Sequence, residues 1–202
     1  MTQTPTMHAR CWLLLLLPWL LVACATSPPS RTDDACVILD EKSGWVGNWQ
    51  RDLRRAEREF GIPQAVILAT IWQESRFEAK ARPPRRRLLG FIPWKRQSSA
   101  YGYAQALDGT WDWYLDSTGG GRLTRRSSFK HAAHFVAWYH AQSQRINGIA
   151  RDDAYNLYLA YHEGHGGYRR RSYQSKPWLM TVARRVHNQA NRYQQQLAHC
   201  RR

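Results

Sequence analysis

One carboxylate in this chain stands where acid chemistry could use it. In Ile71-Trp72-Gln73-Glu74-Ser75-Arg76-Phe77, Glu74 follows a stretch, Pro63 to Trp72, that is apolar nearly all round. Such a stretch marks a helix buried in the middle of a domain, not one lying on its surface. A carboxylate leaving a Trp-bearing core helix is partly desolvated. Desolvation disfavours the charged form, raises the pKa and lets the group hold a proton for donation near neutral pH. The competing reading is a solvated Glu in a last helical turn, and only the rest of the chain can decide. Two further stretches place polar groups beside helix ends: Tyr101-Gly102-Tyr103-Ala104-Gln105 and Ala160-Tyr161-His162-Glu163-Gly164.

Helical patterning supplies the elements that must position these groups. Trp45, Val46, Trp49, Leu53, Ala56 and Phe60 recur at a helical period with charged residues between them, and Gly61 ends the run. Pro63 suits the first position of the helix that leads to Glu74. Asp108 is expected to cap a helix that ends at Ser117 to Gly121, and Ser127 or Ser128 a long one closed by Asn147-Gly148. Asp152 is expected to cap a helix carrying Leu157, Tyr158 and Tyr161, stopped by Gly164. A Gly- and Arg-rich turn, His165 to Ser175, then leads to a last helix from Pro177 to about Leu197. Between Phe77 and Tyr101 the helical pattern breaks. Prolines and Gly90 within Arg82 to Arg96 forbid a helix, so short strands or an ordered loop are expected there. Phe91, Trp94 and five arginines in this segment could line a cleft for an anionic polymer, or form a basic face with its aromatics packed inward. The expected fold is mainly α, five or six helices with one small irregular or β segment, and no internal repeat. At 202 residues and 43% hydrophobic, the chain forms one domain with a sizeable core.

Residues 1–23 read as a targeting leader: Arg10 supplies positive charge, and Trp12 to Val22 is an apolar run too short for a membrane span. The ending Leu21-Val22-Ala23-Cys24 resembles a bacterial lipoprotein lipobox. That resemblance implies a mature chain beginning at an acylated Cys24, held at a membrane by several acyl chains, with residues 24–35 as a tether. Ala25 after the lipidated position points by analogy to the outer membrane of a Gram-negative cell. The alternative is an ordinary cleaved signal peptide. The net charge is +15, and +14 without the leader, where Arg10 is the only charged residue. A balance this basic calls for an anionic partner. Nucleic acid is disfavoured by the export signal, which leaves envelope polyanions.

Cys11 leaves with the leader and lipid claims Cys24, so Cys36 and Cys200 remain for a disulfide in an oxidising periplasm, two free thiols being the alternative. Neither a metal nor a cofactor is expected. The eight histidines are scattered, and His131, His134 and His162, His165 pair at helical spacing without a ligand set of known pattern.

Taken in order, Glu74-Ser75, Gly102-Tyr103-Ala104-Gln105 and Ala160-Tyr161-His162-Glu163-Gly164 resemble the motifs of the soluble-lytic-transglycosylase domain, in the goose-type-lysozyme-like superfamily. The likeness covers about residues 46–197, with the domain taken as 36–202. It implies an α+β lysozyme-like fold of helices around a glycan cleft. It also implies a membrane-anchored enzyme of the periplasm that cleaves the bond between N-acetylmuramic acid and N-acetylglucosamine in peptidoglycan. Glu74 would be the single catalytic acid, Tyr161 would hydrogen-bond and orient it, and Ser75, Gln105 and Gly102 would meet the substrate. The family's Gly-Leu-Met-Gln becomes Gly-Tyr-Ala-Gln here, and its Ala-Tyr-Asn-Ala-Gly becomes Ala-Tyr-His-Glu-Gly. Glu163 is therefore an added acid. Pointing into the cleft it would hold a water or the peptide stem; pointing outward, the expected case, it would have no role. A lysozyme-type hydrolase and a non-catalytic glycan-binding lipoprotein are the alternatives.

Overall fold

A computed structural model of the chain describes residues 27–42, 47–88 and 92–200, with backbone alone for 86–88 and 92–95. The leader, Cys24, Trp45, Val46 and Phe91, and the side chain of Trp94, lie outside the described residues. Seven α-helices and one hairpin follow in order: α1 (Ala35–Leu39), α2 (Trp49–Phe60), α3 (Gln64–Ser75), β1 (Arg85–Leu88), β2 (Ile92–Arg96), α4 (Asp108–Thr118), α5 (Phe129–Asn147), α6 (Ala154–Arg169) and α7 (Pro177–His199). The mainly α architecture is the expected one.

α3 is the axis of the core. Ala65 through Ile71 are all buried, as an all-round apolar helix requires, and α3 packs between α5 and α7 while α2 covers α5. An aromatic cluster seals the junction. Trp49 of α2 stacks on Phe129 of α5 at 3.7 Å, and Tyr103 meets both edge-on at 5.6 and 5.7 Å. That contact fastens the turn of residues 101–106 to the helical core.

Several boundaries differ from the expected ones by a residue. Pro63 is the N-cap of α3 rather than its first residue, its carbonyl accepting from Val66 and Ile67. Leu107 is the N-cap of α4; Asp108 is inside the helix and pairs with Arg126 at 2.8 Å. The cap of α6 is Asp153, not Asp152, its carboxylate accepting from the Asn156 amide at 3.0 Å. Gly61 and Gly148 close α2 and α5 in the left-handed conformation that glycine adopts without a Cβ penalty. Gly164 interrupts α6 with φ 73° and ψ 159°, but the chain returns to helix as far as Arg169, where a turn was expected. The Pro-containing segment forms an antiparallel two-stranded ribbon, Arg87 opposite Pro93. Both its strands are edges, where proline is tolerated.

The end of the expected tether is packed. Pro29 is buried, the Tyr193 hydroxyl donates to the Thr32 carbonyl, and Gln196 Nε2 donates to the Asp33 carbonyl at 3.1 Å. Asp34 then caps α1, a short helix that the sequence pattern did not suggest. Cys36 and Cys200 form the expected disulfide, which ties α1 to the end of α7 across 164 residues.

Candidate active site

Glu74 occupies the last turn of α3, and the backbone after it is strained. Arg76 and Phe77 have φ of 53° and 62°, left-handed values that cost non-glycine residues of order 1 kcal/mol or more each. Packing holds them there. Phe77 is fully buried in the aromatic cluster, and the Arg76 guanidinium lies 3.4 Å from the Trp72 ring centroid. The reversal ends α3 abruptly and leaves Glu74 facing α6.

The Glu74 carboxyl is closed in by protein atoms, although the residue as a whole is only half-buried. Burial pushes its pKa up to about 7, and the Tyr158 hydroxyl, at hydrogen-bonding reach, acts in the opposite direction by favouring the carboxylate. Tyr158 and Tyr161 stand three residues apart on α6, one face of a helix. Tyr161 does not make the bond expected of it with Glu74: its hydroxyl donates to the Ala104 carbonyl at 2.5 Å. It remains close enough for the Glu74 charge to raise its pKa, after burial has done most of that. Below the tyrosines, His140 is fully buried and neutral. Its Nε2 meets the Thr70 hydroxyl at 2.9 Å, and burial drives its pKa down to about 3.

The second motif is built as a brace. Gln105, with φ 47°, donates from Nε2 to the carbonyls of Ala81 at 3.0 Å and Gly102 at 2.8 Å, so Oε1 is the atom left for a ligand. Gly102 is needed for this chain's own backbone. Its φ is 78°, and a Cβ there would lie 2.2 Å from the Arg126 carbonyl oxygen. Tyr103 and Ala104, where the chain departs from the family pattern, are buried in the core at 2% and 1% exposure. Those departures are therefore packing changes. Ser75 is also buried, its hydroxyl donating to the Ile71 carbonyl of its own helix at 3.3 Å, so it faces away from solvent.

Glu163 does not point outward, nor is it a free acid. Its side chain is 4% exposed and accepts from Lys176 Nζ at 2.7 and 3.0 Å, from the Ser172 hydroxyl, and from His162 Nδ1 at 3.1 Å. Burial alone would raise its pKa, but these hydrogen bonds and the Lys176 charge outweigh it and hold the carboxyl at about 2. The kink at Gly164 returns the chain so that Gly167 lies against Glu163, where a Cβ would come within 3.1 Å of the Glu163 Cβ. The other paired histidines are similarly occupied: His134 bridges Tyr114 and Glu59, and His165 contacts Ser143 at 3.0 Å and stacks on Tyr139.

One desolvated acid beside tyrosine hydroxyls, behind a braced Gly-Tyr-Ala-Gln turn, can donate a proton and take one back. The sequence profile described as the transglycosylase SLT domain matches residues 12–200. The chain belongs to the transglycosylase SLT domain family. A search of curated proteins found no match. Membership makes this SLT domain a peptidoglycan-acting domain of lytic-transglycosylase type. No helix among the described residues is long and apolar enough to cross a membrane. The residue that sequence reasoning missed in this SLT domain is Tyr158. Its signal was present in the three-residue step from Tyr158 to Tyr161, which places both rings on one face of α6.

Proposed function

We propose that this SLT domain is a lytic transglycosylase that cleaves the β-1,4 bond between N-acetylmuramic acid and N-acetylglucosamine, with Glu74 as its only catalytic carboxyl group. Protonated Glu74 donates to the leaving glycosidic oxygen as the anomeric C–O bond breaks. The resulting carboxylate accepts the proton of the muramoyl C6 hydroxyl as that oxygen bonds to the anomeric carbon. The products are a 1,6-anhydro-muramoyl end and a new free N-acetylglucosamine hydroxyl, and Glu74 ends protonated as it began. No water is consumed, so no second carboxylate is required.

The observation that carries this reading is the pairing of one raised carboxyl with one lowered one. Glu74, near pKa 7, can exist in both forms at neutral pH, whereas Glu163 is held ionised and hydrogen-bonded to Lys176. A hydrolase would need a free base to activate water. Gln105 Oε1 is assigned to substrate contact, and Tyr158 to the orientation of Glu74. Residues 1–23 are assigned as the leader, Cys24 as the acylated first residue of a chain anchored at the outer membrane, 24–35 as the link and 36–202 as the domain.

The test is mass spectrometry of muropeptides released from purified sacculi by the wild-type chain and by Glu74→Gln. Anhydro products from the wild type alone are expected, with the variant slower by ~10²–10⁴-fold. Reducing-end products would identify a hydrolase, and equal inactivity a glycan-binding lipoprotein.

A further inference from the structure

α7 carries a basic stripe, and one of its members, Arg185, is close enough to Tyr158 for its charge to act there. Arg184, Arg185 and Arg192 line a cavity of about 380 Å³ together with Trp72 of α3, Gln189 and Asp33. Arg76, stacked on Trp72 beside it, adds a fourth cation close enough for the Arg185 charge to act on it. Among the described residues, none of these four arginines has a carboxylate within 4.0 Å. Like charges gathered with only the Asp33 carboxylate at the rim repel one another, and an added anion relieves that repulsion.

Gln189 also lines the cavity, but its buried Nε2 is turned to the Tyr193 hydroxyl rather than to the open space. The Tyr193 proton is directed instead to the Thr32 carbonyl. Guanidinium forks suit phosphate oxygens, and Trp72 supplies an amphipathic ring of the kind found at membrane interfaces.

The position of the cavity identifies the source of the phosphate. Asp33 at its rim is nine residues from Cys24, a span of at most about 30 Å when fully extended. Trp72 and Glu74 project about 200° apart around α3, so this face is not the one that presents the acid.

We propose that the cavity between α3 and α7 is a phosphate-binding site that takes the headgroup of an anionic phospholipid and seats this face of the domain on the bilayer. The choice of lipid rests on the reading of Cys24 as a membrane anchor. The test is arginine footprinting of the full chain with phenylglyoxal in uncharged maltoside micelles, with and without phosphatidylglycerol. Modification of Arg184, Arg185 and Arg192 is expected to slow at least about fivefold with the lipid, while Arg54 and Arg58, which line a different cavity, react unchanged. In Arg184→Gln, protection of Arg192 is expected to fall while sacculus digestion continues. Equal slowing at Arg54 and Arg58 would overturn the site in favour of diffuse attraction. Protection by inorganic phosphate or by soluble muropeptides, without protection by the lipid, would overturn its assignment to the membrane. Glu74→Gln is expected to show the same protection, which separates this result from that of the cleavage assay. The acyl mass on Cys24 reports the anchor separately.

Discussion

Tyr158 faces the Glu74 carboxyl from α6, while Tyr161, one turn further on, is bonded to the Ala104 carbonyl. One tyrosine therefore tunes the acid and the other clamps the turn of residues 101–106 to α6. Removing the Tyr158 hydroxyl removes the interaction that opposes burial. In Tyr158→Phe the Glu74 pKa is expected to rise further, and the alkaline limb of the kcat/KM profile to move up with it. Tyr161→Phe is expected to leave that limb in place and to cost about 1 kcal/mol of stability. Activity against pH and thermal unfolding of both variants provide the comparison.

The raised pKa of Glu74 makes it a destabilising group at neutral and alkaline pH. Its folded value of about 7 lies above the ordinary glutamate value of 4.5, so as pH rises through that window the unfolded chain releases its proton first. The stability contributed by the protonated acid is full below 4.5 and is lost on the way to 7, by on the order of 3 kcal/mol. Glu74→Gln is accordingly expected to raise the Tm at pH 8 and to leave it nearly unchanged at pH 4. A lower Tm at pH 8 would contradict the placement of this carboxyl in a desolvated site.

Glu163 behaves in the opposite sense. Its folded pKa of about 2 lies below 4.5, so its contribution is present above 4.5 and is lost as pH falls toward 2. Lys176 is partly open to solvent, which reduces the effect to about 2 kcal/mol. Glu163→Gln is expected to lower stability by that amount at pH 7 while still yielding anhydro-muropeptides. A change of product toward reducing ends would instead show that Glu163 takes part in the chemistry.

The Cys36–Cys200 bond closes a loop spanning nearly the whole domain. In the chain-entropy model a loop of this length is worth about 5 kcal/mol. Cys36→Ser/Cys200→Ser is expected to show that loss in urea unfolding, and reduction of the wild type to reproduce it. The first segment freed would be α1 with residues 27–34, which are held against α7 by Gln196 and Tyr193.

What could be read in advance was whatever local pattern controls. The all-round apolar run of α3, the glycines after α2 and α5, and the prolines that exclude helix between Phe77 and Tyr101 each act within a few residues, so spacing alone revealed them. Cap positions slipped by one residue because adjacent candidates such as Asp152 and Asp153 differ only in which carboxylate reaches a backbone amide. Burial was harder to read. Ser75 sits in a motif position that suggests substrate, yet it is buried and its hydroxyl turns back to the Ile71 carbonyl of its own helix.

By itself the sequence determined the helical class, the order of the motifs, the two cysteines available for a bond, and a carboxylate at the end of a core helix. Only the tertiary structure decided what each acid is. Glu74 and Glu163 carry the same chemical group, and each stands near a helix break. Glu74 meets tyrosines and closed protein, which raise its pKa. Glu163 meets Lys176, His162 and Ser172, two of them brought back from 9 and 13 residues along the chain by the kink at Gly164, and they lower it. The energy of a charge depends on the groups around it, and in a folded chain those groups come from wherever the backbone turns them.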